Sequence, residues 1–153
     1  MNTRNLMMIG AAVAIIGGSA DAAELSKSSG ADLWVQSQKG GYTVEYVSDG
    51  TTVGLQFDVH DKNIKEGSFQ CGPSLAASHI ASCTLHADEG FLRVVVFSMT
   101  NALVPDGSLL QVSTTSGAQK LRTAAKASAT LGNVVFSDIQ GQDVTPAHLK
   151  DSK

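Results

Sequence analysis

In the stretch VGLQFDVH, Val53, Leu55, Phe57 and Val59 alternate with Gly54, Gln56, Asp58 and His60. A period of two predicts a β-strand with one face in the core and one in water. YTVEYV puts Tyr42, Val44 and Tyr46 on one face, and the Ser48-Asp49-Gly50 that follows is a turn signal predicting a hairpin into the next strand. In LRVVVFSM both faces are apolar, with Leu92, Val94 and Val96 on one side and Val95 and Phe97 on the other. That strand is expected to be central in its sheet, or covered on its second face. Further short segments, ADLWVQS, SHIASCTLHA, LLQVSTT, LRTAAKASA and NVVFSDI, are punctuated about every ten residues by Gly, Asp, Asn and Ser. The cadence predicts an all-β fold, a two-sheet sandwich. LRTAAKASATLG contains the helix formers Ala and Lys, but it is short and lacks a 3.6-residue stripe, so a strand is expected there. A short helical turn is expected near PSLAASHI.

Composition narrows the class without changing the fold. The 153 residues, 42% hydrophobic and 16% charged, suffice for one domain with a real core. A net charge of −3 with no basic run removes the long-range attraction on which nucleic-acid binding depends. Residues 1–22 have a signal-peptide layout: a positive charge in MNTRN, the apolar LMMIGAAVAII, and small residues ending in Ala20-Asp21-Ala22. Cleavage is expected after Ala22, followed by a polar lead-in at 23–30, a domain at 31–147 and a polar tail at 148–153. The mature protein is therefore expected to be exported, periplasmic or extracellular, and free of the membrane. Cys71 and Cys83 form an even pair, matching an oxidising compartment and predicting one disulfide.

Candidate chemistry is sparse. GPSLA resembles a nucleophile elbow without its final glycine, which makes Ser74 the best hydrolase candidate, but the elbow needs a parallel sheet that the pattern does not predict. His60, His79, His86 and His148 lack metal-ligand spacing, and no calcium loop is legible among the scattered acids. No catalytic residue, metal or cofactor is expected. Sugar binding needs exposed rings, and a strip of Trp34, Tyr42 and Tyr46 is the one platform available, although large rings in a chain only 5% aromatic favour core packing.

Three segments taken together resemble a cohesin domain. TVGLQFDVHD is similar to that family's early strand, LRVVVFSMTNALVPDGSLLQV to its central strand and the connection onward, and NVVFSDIQGQDV to its closing strand. They span Thr52 to Val144. The resemblance implies a jelly-roll sandwich of about nine strands, related to cellulose-binding modules, and a non-catalytic role in binding dockerin-type or other exported proteins in extracellular assembly. A carbohydrate-binding module of the same fold, with a polysaccharide as partner, is the alternative. Positions on the wet face of the early strand, Gln56 and Asp58, are the expected contact residues.

Overall fold

Eight strands and one helical turn form among residues 30–114 and 128–150, the part of the chain that the computed structural model describes. The strands are β1 (Asp32–Gln38), β2 (Gly41–Val47), β3 (Gly54–His60), β4 (Phe69–Cys71), β5 (His79–His86), β6 (Phe91–Ser98), β7 (Gly107–Ser113) and β8 (Thr130–Ser137). Helix α1 covers Ala147–Lys150. Two antiparallel four-stranded sheets, β1-β2-β7-β4 and β5-β6-β3-β8, face each other as a sandwich. The all-β, two-sheet expectation holds, with eight strands among the described residues instead of about nine. The signal peptide, nearly all of the lead-in and most of LRTAAKASA lie outside those residues. No helix among them is long and apolar enough to cross a membrane.

Period-two alternation builds the core from both sheets. Tyr42, Val44 and Tyr46 of β2 and Leu110 and Val112 of β7 face Leu55, Phe57 and Val59 of β3, Leu92, Val94 and Val96 of β6, and Phe136 of β8, all nearly or wholly buried. Tyr46 and Phe136 meet across the two sheets edge to face, with ring centroids 5.6 Å apart, a favoured aromatic geometry. Tyr42 places its hydroxyl on the buried carboxylate of Asp61, 3.0 Å away. Burial first, and then the negative Asp61, push the Tyr42 hydroxyl far above the ordinary tyrosine range, so it stays a donor. As expected, β6 is an interior strand, paired with β5 on one side and β3 on the other.

Local expectations fail where turns act over distance. Ser48-Asp49-Gly50 does turn, with Gly50 at φ 83° and Asp49 accepting the Thr51 N–H, but β2 and β3 lie in different sheets. The turn carries the chain across the sandwich and closes no hairpin. The hairpins are β1–β2, turning at Lys39-Gly40, and β5–β6. Near PSLAASHI, where a short helical turn is expected, the chain makes two successive isolated turns, closed by Leu75 N–H to the Gly72 carbonyl and His79 N–H to the Ala76 carbonyl. The expected polar tail begins inside the domain: α1 buries Leu149, and His148 Nε2 lies 3.0 Å from Asp32 Oδ1.

Cys71 in β4 and Cys83 in β5 form the expected disulfide, their Cα atoms 6.1 Å apart. β4 and β5 are edge strands of opposite sheets, so the bond staples one open side of the sandwich. Closing a loop over a separation of 12 residues stabilises by about 2 to 3 kcal/mol in the chain-entropy model. The Cys71→Ser/Cys83→Ser double variant is expected to lose that amount in urea unfolding. A midpoint unchanged from the oxidised wild type would show that the staple contributes nothing.

Candidate protein-binding face

The outer face of the β5-β6-β3-β8 sheet gathers what the rest of the surface lacks. Antiparallel register places Ile80 beside Phe97, Phe97 beside Gly54, and Gln56 between Val95 and Val135. Ile80, Phe97 and Val135 are exposed on this face, and Met99, Leu103 and Ile139 are exposed in the loops at the same end of the sheet. These are the exposed large apolar side chains among the described residues. Scattered exposed apolar residues need no explanation, whereas a cluster on one face makes that face a candidate interaction surface.

Gly54 forms the floor of this end. A Cβ there would sit 3.0 Å from Ser137 Oγ and 3.9 Å from Phe97 Cβ, so the glycine is closely packed between its two strand neighbours. The Ser137 hydroxyl donates to the Gly54 carbonyl at 3.2 Å and ties β8 to β3 at that point. The loop carrying Leu103 is anchored by Val104 N–H to the Thr52 carbonyl and by the contact of His79 Nε2 with the Ala102 carbonyl at 3.2 Å. Hydrogen bonds to backbone carbonyls thus hold the apolar end on both flanks.

Further along the same strands the face turns polar. Asp58 points to the expected face but is fully buried, so it is not a free contact residue. Arg93, its cross-strand neighbour on β6, grips both carboxylate oxygens at 2.8 Å through Nε and Nη2, and Asn133 Nδ2 donates to Oδ2 at 2.7 Å. The Asn133 bond depends on a β-bulge. Gln56 pairs with Val135 and Asp58 with Gly132, so β8 carries an extra residue, with Asn133 at φ 49°. Burial alone would push the Asp58 pKa up, but the bonds from Arg93 and Asn133 outweigh it and hold the carboxyl below its ordinary range. Gln56 remains half-exposed between its two valines and keeps its place on the face.

At the far end, three rings lie side by side across three strands. His60 of β3, Phe91 of β6 and His86 of β5 are register partners. The His86 ring stacks on Phe91 with centroids 4.4 Å apart, His60 tilts against it at 5.6 Å, and the Arg93 guanidinium lies 5.4 Å from the Phe91 centroid. Phe91 is buried beneath this cover although it faces outward.

The three-ring sugar platform does not form. Tyr42 and Tyr46 face the core, while the register of Leu33 with Tyr46 places Trp34 opposite Glu45 on the outside of the other sheet. Trp34 is half-buried, its Nε1 3.4 Å from Gln36 Oε1. Successive residues of a strand point to opposite faces, so Trp34 points away from the face that its neighbour Leu33 shares with Tyr46. Ser74 lies in the turn after β4, its N–H on the Ser108 carbonyl, while His79 contacts Ser78 and Ala102 and His148 contacts Asp32.

The chain is similar to cohesin modules. A non-cellulosomal cohesin from the hyperthermophilic archaeon Archaeoglobus fulgidus is 15% identical, with a TM-score of 0.48 over 76% of this chain and 83% of that one. The second type II cohesin module from the adaptor ScaA scaffoldin of Acetivibrio cellulolyticus is 10% identical, with a TM-score of 0.45 over 77% of this chain and 84% of that one. No family model and no curated protein matches the chain.

Proposed function

We propose that the protein is an exported, non-catalytic, cohesin-like binding module that recognises a dockerin-type or other exported protein through the outer face of the β5-β6-β3-β8 sheet. The observation that carries this reading is the cluster of Ile80, Phe97 and Val135 on that face, extended by Met99, Leu103 and Ile139. Its layout, apolar anchors around a glycine floor with a paired polar network beside them, is that of a recognition surface with a dry centre and a polar border. Export is supported by the signal-peptide layout of residues 1–22 and by the Cys71–Cys83 disulfide.

The test uses residues 23–153 as bait against the exported proteins of the source organism, with and without a calcium chelator. A bound partner that chelation releases is of dockerin type, and one that stays is another exported protein. Ile80→Asp puts a carboxylate into the apolar cluster and is expected to weaken capture at least about tenfold while leaving the melting temperature near wild type. Capture unaffected by Ile80→Asp would place the binding surface elsewhere on the molecule.

A further inference from the structure

We propose that β5 is the contact strand of a two-fold dimer: its free edge pairs antiparallel with β5 of a second copy of this chain, in a register centred on Cys83. The edge is distinct from the outer face on which the proposed function rests.

Backbone direction along β5 is fixed at both ends. Gly90 N–H closes on the His86 carbonyl at 2.8 Å in the β5–β6 turn, and His79 N–H turns away from β6 to the Ala76 carbonyl at 3.0 Å. Hydrogen-bonded positions alternate along an antiparallel strand, so the even residues of β5 serve β6 and the odd ones point outward. The N–H and C=O groups of Ala81, Cys83 and Leu85 therefore line the edge, and among the described residues no strand or side chain takes them.

An edge of that kind is a template for another strand unless it is blunted. Among the described residues the other three edges are blunted. β4 has only three residues. β8 is bulged at Asn133, and the segment after it closes its rim through Val144 N–H to the Phe136 carbonyl and Phe136 N–H to Thr145 Oγ1. β1 opens on an acid, Asp32, whose carboxylate takes the Leu33 N–H at 2.8 Å. β5 reads HIASCTLH, eight residues in unbroken register with β6, with no Pro, Asp, Glu, Lys or Arg.

A second copy fits this edge for two reasons. The open side of the sandwich is two layers deep: Phe69 of β4, Leu75 of the β4–β5 connection, and Ala81, Cys83 and Leu85 of β5 pack against the core yet stay partly exposed. A lone peptide strand would cap β5 and leave β4 uncovered, whereas a second sandwich brings a side of equal depth, its own β4 stapled to its own β5. The strand is also complementary to itself. With Cys83 on the axis, Ala81 pairs with Leu85 of the second copy, and the exposed Ser82 meets Thr84 of the second copy, a hydroxyl pair favoured across strands. The acids nearest the strand, Asp88 and Glu89, lie in its turn, and antiparallel pairing sends the two turns to opposite ends.

Such a dimer joins the two β5-β6-β3-β8 sheets into one continuous sheet, with both outer faces on the same side. A partner with two recognition segments then binds with avidity, a consequence that, unlike the dimer, rests on the proposed function.

Sedimentation velocity of the full chain, expressed for export and purified with its disulfide intact, reads the association between about 1 and 200 μM. The wild type is expected to dimerise in that range. Ser82→Lys/Thr84→Lys sets like charges opposite one another across the axis and is expected to weaken dimerisation at least about tenfold. Ser82→Glu/Thr84→Glu is expected to do the same, and an equimolar mixture of the two variants to associate again. Both positions are exposed, so both variants should keep the far-ultraviolet circular dichroism of the wild type. Ala81→Pro, which removes an outward N–H and no bond to β6, should weaken the dimer without adding charge. A wild type that stays monomeric at every concentration overturns the proposal. A dimer that these variants leave unchanged overturns it too, by placing the contact on another surface, and a mixture that fails to associate overturns the register. Capture through the outer face is read separately by Ile80→Asp, so none of these failures carries over to it.

Discussion

Gly41→Ala is expected to destabilise the fold by about 3 kcal/mol. Gly41 opens β2 where it pairs with Gln38 on one side and Ser113 on the other. A Cβ there would clash with the Val112 carbonyl oxygen, far inside van der Waals contact, and lie 3.1 Å from Ser113 Cα. Both obstacles are backbone, so no side-chain rotation relieves them, and β2 and β7 would have to part. Separation at that point exposes Tyr42 and Val112, register partners in the core. Gly30→Ala is the control, because a Cβ at Gly30 meets nothing within 4 Å. Urea unfolding of the two variants should separate them clearly. Coincident midpoints would mean that β7 does not approach Gly41 so closely in solution.

Arg93→Ala is the second large effect, with an expected loss of about 3 kcal/mol at neutral pH. Removing one partner of an ion pair leaves the other as an uncompensated charge, and here the one left behind is the fully buried Asp58. The estimate sits at the low end of the usual range because Asn133 still donates to Asp58 and the Arg93 side chain is 37% exposed. Arg93→Lys is expected to recover only part of the loss, since an ammonium cannot reproduce the two parallel bonds. The pH dependence has a definite sign. The folded-state pKa of Asp58 lies below its ordinary 3.8, so the pair's contribution is present above that value and is lost as pH falls through the lower folded value. The gap between wild type and Arg93→Ala should therefore be full at pH 7 and shrink below about pH 4. A gap that persists in strong acid would mean that Arg93 stabilises the fold by packing, not by charge.

Alternation made much of this molecule legible. VGLQFDVH gave the inward face of β3 without error, and the doubly apolar LRVVVFSM marked an interior strand. What alternation reports is side, not cover. Asp58 falls on the outward side as expected, but its burial is decided by Arg93 and Asn133, which lie 35 and 75 residues away along the chain. The bulge at Asn133 has no period to betray it. Ser48-Asp49-Gly50 was readable as a turn, yet a turn sequence does not say whether the next strand returns beside the last or crosses to the opposite sheet. The candidate face was missed for a related reason. Ile80, Phe97 and Val135 belong to three strands, and each alone is an ordinary exposed apolar residue until register sets them side by side.

The strand order also sets a timetable for folding. β1 with β2 and β5 with β6 are neighbours in sequence, and such hairpins close in about 1 to 10 μs. The pairings β2–β7 and β3–β8 join segments from opposite ends of the described chain, and they must wait for long loops to close. Gln56 and Val95 can therefore meet before Val135 arrives beside Gln56, because β8 is the last strand among the described residues and docks on β3 from the far end. Until β8 docks, the inward face of β3, with Leu55, Phe57 and Val59, lacks its Phe136 cover. The strand that completes the proposed recognition face is thus the one whose late arrival leaves the nascent protein most exposed to aggregation.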